Sequence, residues 1–296
     1  MENAKKTFSK IGIIYLIISI LTIVAGVIIS TGVSIVSPKA LSSMSFSTLL
    51  TTITQFIIPL AIGYVLLKQI KTTPIKKHKL SLKKFLICVC ITLALIYIGD
   101  YIIGAGIKGV VGVFKPDKAV DTVTNLITGK SIWLRLLESC LLAPIVEELL
   151  YRKLLIDRTI KFGAGISIFI SALIFGFCHG NLTQTISAFI GGCFFAFVYI
   201  KTGNIIYTII LHMIANFFCL VVDQILAFGN LTMEIALFGV MIILIAMTAH
   251  YIYLWRDKIK VLKENVSKLI KKSLLNVGMI SQIIYTSIFI IAVLIH

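Results

Sequence analysis

The chain alternates long apolar runs with short polar breaks. A helix needs about 20 mostly apolar residues to cross the ~30 Å hydrocarbon core of a bilayer. Runs of that kind lie near 11–31, 48–68, 85–104, 132–155, 164–180, 184–200, 204–221, 233–254 and 278–295. Two of them, 164–180 and 184–200, are short for a crossing. Within lipid every backbone amide must find an internal partner, which a helix provides inside one segment. The predicted fold is therefore all-α, a polytopic membrane helix bundle of about 8–9 transmembrane helices. One membrane domain spans 1–296, and a basic C-terminal segment, 256–296, carries either the last span or an amphipathic helix and a tail.

The polar breaks orient this bundle. With the N-terminus placed inside, inner segments hold 22 Lys and Arg and outer segments hold 5 (Lys39, Lys108, Lys115, Lys118 and Lys130). Cytoplasmic loops carry such an excess, so the expected location is the cell membrane, multi-pass, with a cytoplasmic N-terminus. Lys5, Lys6 and Lys10 precede the first run, which extends to about Val36 without a small-residue cleavage site. That predicts an uncleaved anchor rather than a signal peptide.

Composition agrees with a membrane protein. The chain is 58% hydrophobic and 14% charged, with a mean hydropathy of +1.04. The surplus of 28 Lys and Arg over 12 Asp and Glu is clustered in the breaks, without aromatic interleaving, so no nucleic-acid partner is expected. The six cysteines, Cys88, Cys90, Cys140, Cys178, Cys193 and Cys219, all lie in apolar runs without a CxxC pair. They read as small buried apolar residues rather than disulfides or metal ligands.

Against this background two adjacent acids stand out, Glu147 and Glu148, inside Leu141–Arg152. An ionised group at bilayer depth costs roughly 2.5–3.5 kcal/mol on insertion scales. The pair is there either for packing or for chemistry. Glu148 and Arg152 are four residues apart and share a helix face, so they can neutralise each other. Glu147 lies about 100° around the helix and points elsewhere. Pro144 removes a backbone donor one turn earlier and is expected to open the helix.

Two further motifs follow. Phe175-x3-His179 overlaps Gly176-x3-Gly180, a small-residue face that lets helices approach closely. His212-x3-Asn216 puts an imidazole and a carboxamide on one stripe, about 6 Å apart along the axis. That pair can bond a neighbouring helix or polarise a carbonyl oxygen. Glu147 and His179 each lie 16 residues from Gly163, within a turn signal, so an antiparallel hairpin there sets them level. His212 enters from the inner face by about 12 Å, and all three motifs can converge at mid-membrane. Asp100 ends the third predicted span and reads as interfacial. His78, His250 and His296 read as non-catalytic.

Glu-Glu-x3-Arg, Phe-x3-His and His-x3-Asn, in this order on successive membrane helices, resemble the CPBP family of type II CAAX prenyl endopeptidases and bacterial bacteriocin-processing, or Abi, proteins. The resemblance covers about 132–222, the expected catalytic core. It implies an intramembrane endopeptidase, classed among metalloproteases, acting on hydrophobic peptides or membrane-protein substrates within membrane lipid. By resemblance Glu147 and His179 activate a water, His212 and Asn216 stabilise the oxyanion, and Glu148, Arg152 and Phe175 support the architecture. Glu147, His179 and His212 could hold Zn2+, or the site could work with no metal. Two other classes remain open: a non-catalytic membrane immunity or regulatory protein of the same fold, and a transporter with a buried proton relay. No internal symmetry of the transporter kind is visible. The sequence does not indicate an oligomeric state.

Overall fold

The computed structural model describes residues 4–41, 43–114 and 131–295, with the side chains of 41, 114, 258–270 and 295 left out. Among these residues there is no strand, and nine long helices build the bundle. They are α1 (Ala4–Val36), α2 (Met44–Leu67), α3 (Leu82–Val113) and α4 (132–159), followed by α5 (Ala164–Phe177) and α6 (Leu182–Thr202). The last three are α7 (Ile205–Phe228), α8 (Leu231–Leu274) and α9 (Val277–Ile295). Each predicted span falls on one of them. Seven are long and apolar enough to cross a membrane, and α5 is a shorter apolar helix. The protein is an all-α, multi-pass membrane bundle.

Several boundaries differ from the sequence expectation. α3 does not stop at 104 but continues to Val113, so Asp100 lies inside a helix rather than at its end. Val, Ile and small residues beyond 104 sustain the helix through three glycines. The outer lysines Lys115, Lys118 and Lys130 lie outside the described residues, as does His296. α5 stops at Phe177, so His179 sits on the turn after it rather than within a helix. α6 has 21 residues and is long enough to cross. α8 has 44 residues, about 66 Å, twice the thickness of the core. The segment after it forms a separate apolar helix, α9, long and apolar enough to cross a membrane.

Five contacts collect the lysine-bearing segments at one end of the bundle. The Thr73 and His78 amides donate to the Asp157 and Thr202 carbonyls at 2.6 and 2.7 Å. Arg158 Nε donates to the Leu67 carbonyl at 2.6 Å. The Leu80 amide donates to the Tyr207 hydroxyl, and the Gly278 amide to Ser9 Oγ, each at 3.1 Å. We call this the basic end. Apolar side chains such as Val27, Ile28 and Ile35 are exposed, as expected of a surface that faces lipid tails.

Two larger apolar clusters and a smaller one around Ile156, Ala196 and Tyr199 pack the interior. Phe8, Ile11, Tyr15, Leu150, Tyr151, Ile170 and Phe175 join α1, α4 and α5. Cys88, Ile96, Phe195, Leu211 and Ala215 join α3, α6 and α7. The polar groups of α4 lie between the two.

Candidate functional site

The hairpin of α4 and α5 sets the depth of the site. α4 gives way to a 3-10 turn over Ile160–Phe162, and Gly163 turns the chain with φ 121°, a value that L side chains rarely adopt. Tyr151 and Phe175, each twelve residues from Gly163, meet with ring centroids 5.4 Å apart. Ser171 Oγ donates to the Tyr151 carbonyl at 2.7 Å. In this register Glu147 and His179 are level.

α4 is not uniform. Wide turns, closed by i→i−5 bonds, run over Leu136–Leu142 and Glu148–Leu154, on either side of Ala143–Glu147. The Ala143 amide reaches back to the Glu138 carbonyl, and Pro144, which has no amide to offer, follows directly. The helix tolerates proline by widening, without breaking. Such wide turns are often found at functional sites.

Both acids meet one imidazole. Glu148 Oε1 lies 3.0 Å from His212 Nδ1, and Glu147 Oε2 lies 3.6 Å from His212 Nε2. Glu148 Oε2 pairs with Arg152 Nε at 3.2 Å, and both of those side chains are fully buried. Glu147 keeps 23% of its side chain exposed, the only acid of the pair with an open side. Arg152 gains little from hydrogen bonds, since its Nη atoms have no hydrogen-bond partner among the described residues. Its guanidinium instead lies 4.1 Å from the centroid of Phe175 and 5.6 Å from that of Phe195. Stacking of this kind offsets part of the cost of burying a cation. Gly192 makes room for it: a Cβ there meets Phe175 Cδ1 at 2.9 Å and Arg152 Nη2 at 3.3 Å.

His212 is wedged between aromatic rings. Phe175 meets it edge-on at 5.7 Å, and Phe195 lies 5.3 Å away. Phe175 also meets the ring of His179 edge-on at 5.0 Å, so one phenyl ring separates and orients both imidazoles. His179 Nδ1 lies 3.0 Å from the Phe175 carbonyl, which leaves Nε2 as its outward atom. The next residue, Gly180, has φ 68°, and Phe289 of α9 packs against it. Asn216 Nδ2 donates to the Ser139 carbonyl at 2.7 Å and so ties α7 to the wide turn of α4. The structure thus groups Glu147, Glu148, Arg152, Phe175 and His212 in direct contact, and sets His179 and Asn216 around them.

Among the described residues no three His, Cys, Asp or Glu side chains are grouped to hold a metal ion. Glu147 and His212 Nε2 face each other at 3.6 Å, and His179 turns one ring nitrogen to a backbone carbonyl.

Three features escaped the sequence. Of the six cysteines expected to be buried only Cys88 is; Cys90, Cys140, Cys193 and Cys219 are half-buried, and Cys178, just past the end of α5, is exposed. Ser139 contributes only its carbonyl, which no side-chain motif can reveal. Asp100 is half-buried, with Cys219 Sγ at 3.6 Å from Oδ2, while its neighbour Tyr101 donates to Asp223 Oδ1 at 2.8 Å. The one available signal was a pair of acids, Asp100 and Asp223, on otherwise apolar helices.

Comparison with known proteins points the same way. Residues 129–218 match the family described as type II CAAX prenyl endopeptidase Rce1-like. A curated protein of Bacillus subtilis named "Putative membrane peptidase YdiL" is 29% identical over 118 residues, which is 38% of this chain and 46% of the relative. The chain thus matches less than half the length of that relative. No solved structure matches the chain. The matched segment, less than half of the chain, carries the Glu-Glu-x3-Arg, Phe-x3-His and His-x3-Asn motifs, and through it the chain is similar to the Rce1-like type II CAAX prenyl endopeptidases.

Proposed function

We propose that the protein is an intramembrane endopeptidase that hydrolyses peptide bonds in hydrophobic or membrane-tethered substrates. The observation that carries this is the division between the two acids. Glu148 is buried and paired on both oxygens, whereas Glu147 has an open side and the edge of an imidazole beside it. A packing pair has no use for that asymmetry, and a general base requires it.

The chemistry runs through the side chains. Glu147, level with His179, takes a proton from a water, and the oxygen attacks the scissile carbonyl carbon. The oxyanion that forms accepts hydrogen bonds from His212 Nε2–H and the second amide hydrogen of Asn216. Glu148 holds His212 through Nδ1, which directs Nε2 into the site. Collapse breaks the C–N bond, and Glu147 returns the proton to the leaving amine. The products are a carboxylate and an amine.

The positive-inside rule favours a cytoplasmic basic end and hence a cytoplasmic N-terminus. The test is proteomics of membrane peptides from cells carrying wild type or Glu147→Gln. Accumulation of an uncut precursor with Glu147→Gln, and equally with His179→Ala, is expected. Identical peptide profiles at equal membrane levels would reject the protease in favour of a non-catalytic regulator.

A further inference from the structure

A cavity of about 640 Å³ opens at the basic end, between α1, the end of α2 and the start of α9. Its lining divides by chemistry. Lys5, Lys6 and Lys10 stand at one side, with the neutral polar groups of Ser9, Gln69 and Asn276. Ile13, Ile14, Ile17, Leu66 and Val277 form the remainder, and among the described residues no acidic side chain lines it. Ligand pockets typically enclose 300–1,000 Å³.

The cavity is built into the bundle rather than left by loose packing. α1 and α9 touch through glycines: a Cβ at Gly12 meets the backbone of Gly278, and a Cβ at Gly278 meets the Ser9 carbonyl. The Gly278 amide closes this seam on Ser9 Oγ at 3.1 Å. On the α2 side, Lys10 Nζ donates to Gln69 Oε1 at 3.2 Å. The helices that form the walls are thus pinned along two edges.

We infer that this cavity is a binding site for one membrane phospholipid with an anionic headgroup. The three lysines complement a phosphate-bearing head, and the isoleucines below them complement an acyl chain. The occupant enters from the surrounding bilayer, because the apolar wall continues into the exposed face of α1 at Ile13 and Ile20. The site also touches the catalytic frame. Ile14 precedes Tyr15, whose hydroxyl donates to the Leu150 carbonyl of α4 at 2.8 Å and whose ring stacks on Tyr151 at 5.5 Å. A bound lipid therefore holds α1 against the helix that carries Glu147. The inference stands whether or not the chain cuts peptides.

The full chain, reconstituted in nanodiscs of phosphatidylcholine with a minor share of phosphatidylglycerol, tests it by native mass spectrometry of retained lipid. Wild type is expected to retain phosphatidylglycerol in preference to phosphatidylcholine. Joint replacement of Lys5, Lys6 and Lys10 by Gln should weaken that retention at least about tenfold, given roughly 1 kcal/mol per lysine near a membrane surface. Joint replacement of Lys76, Lys77 and Lys79 by Gln removes the same charge from the basic end outside the cavity and should leave retention unchanged. Ile17→Trp fills the cavity with all three lysines in place and should also abolish the preference. Added inorganic phosphate should not displace the lipid. The inference is overturned if both lysine triples act alike, if Ile17→Trp retains lipid as wild type does, if free phosphate competes, or if a photo-crosslinker at position 17 captures peptide instead of lipid.

Discussion

Replacing each of the paired acids by its amide separates scaffold from chemistry. Glu148→Gln removes the negative charge that faces Arg152 at 3.2 Å and His212 at 3.0 Å, in a place where Glu148 and Arg152 are fully buried. Removing one partner of a buried ion pair costs about 3–5 kcal/mol, because the other charge stays without compensation. At roughly 2–4 °C per kcal/mol for a chain of this order of size, the midpoint of thermal unfolding falls by about 10 °C. Glu147→Gln is a different perturbation. Its carboxylate is 23% exposed and 3.6 Å from His212 Nε2, beyond a good hydrogen bond, so it contributes no more than a surface pair, about 1 kcal/mol or less. Its midpoint should stay within about 3 °C of wild type. Proteolysis behaves in the opposite sense, and loss of a general base costs about 10²–10⁴ in rate at Glu147. Far-ultraviolet circular dichroism on heating in detergent, together with turnover of the accumulated precursor, measures both. If Glu147→Gln unfolds earlier than Glu148→Gln, or if Glu147→Gln retains turnover, the roles assigned to the two acids are wrong.

Three further outcomes follow from single contacts. Asn216→Ala removes the donor to the Ser139 carbonyl and the proposed oxyanion partner; kcat should fall about 10²–10³ with little change in KM, and an unaltered kcat refutes the oxyanion role. Gly192→Ala drives a methyl group into Phe175 and Arg152, so it should destabilise by about 1–3 kcal/mol, read as an earlier thermal midpoint; wild-type stability would show that the space around the guanidinium is not tight. Gly180→Ala forces a side chain into φ 68° and against Phe289, at a cost of about 1–3 kcal/mol, and displaces the adjacent His179; activity should drop more than the thermal midpoint, and retained turnover would show that His179 needs no fixed turn.

Much of the fold was legible because lipid imposes a simple rule. Length, apolarity and the lysine breaks identify each of the nine helices, since each must satisfy its own backbone. Helix ends were less legible. α3 outran its predicted end at 104, and α5 stopped short of His179. Gly106, Gly109 and Gly112 lie beyond the predicted end at 104 yet within a helix, whereas Gly180, with its positive φ, lies in the turn after α5.

The site divides along the same line. Local spacing alone determined that Glu148 pairs with Arg152, because residues four apart on a helix must meet. Spacing about Gly163 likewise set Glu147 and His179 level. Helical geometry also turned Glu147 about 100° away from Glu148, as if the two acids faced different neighbours. Only the tertiary structure decided otherwise. α7 places His212 astride α4, so that its two ring nitrogens reach one acid each. That contact joins residues 64 positions apart in the chain, and it depends on how α7 crosses a widened turn of α4. No periodicity encodes such a crossing, because it is set by side-chain packing among Phe175, Phe195 and Arg152, not by the pattern within either helix.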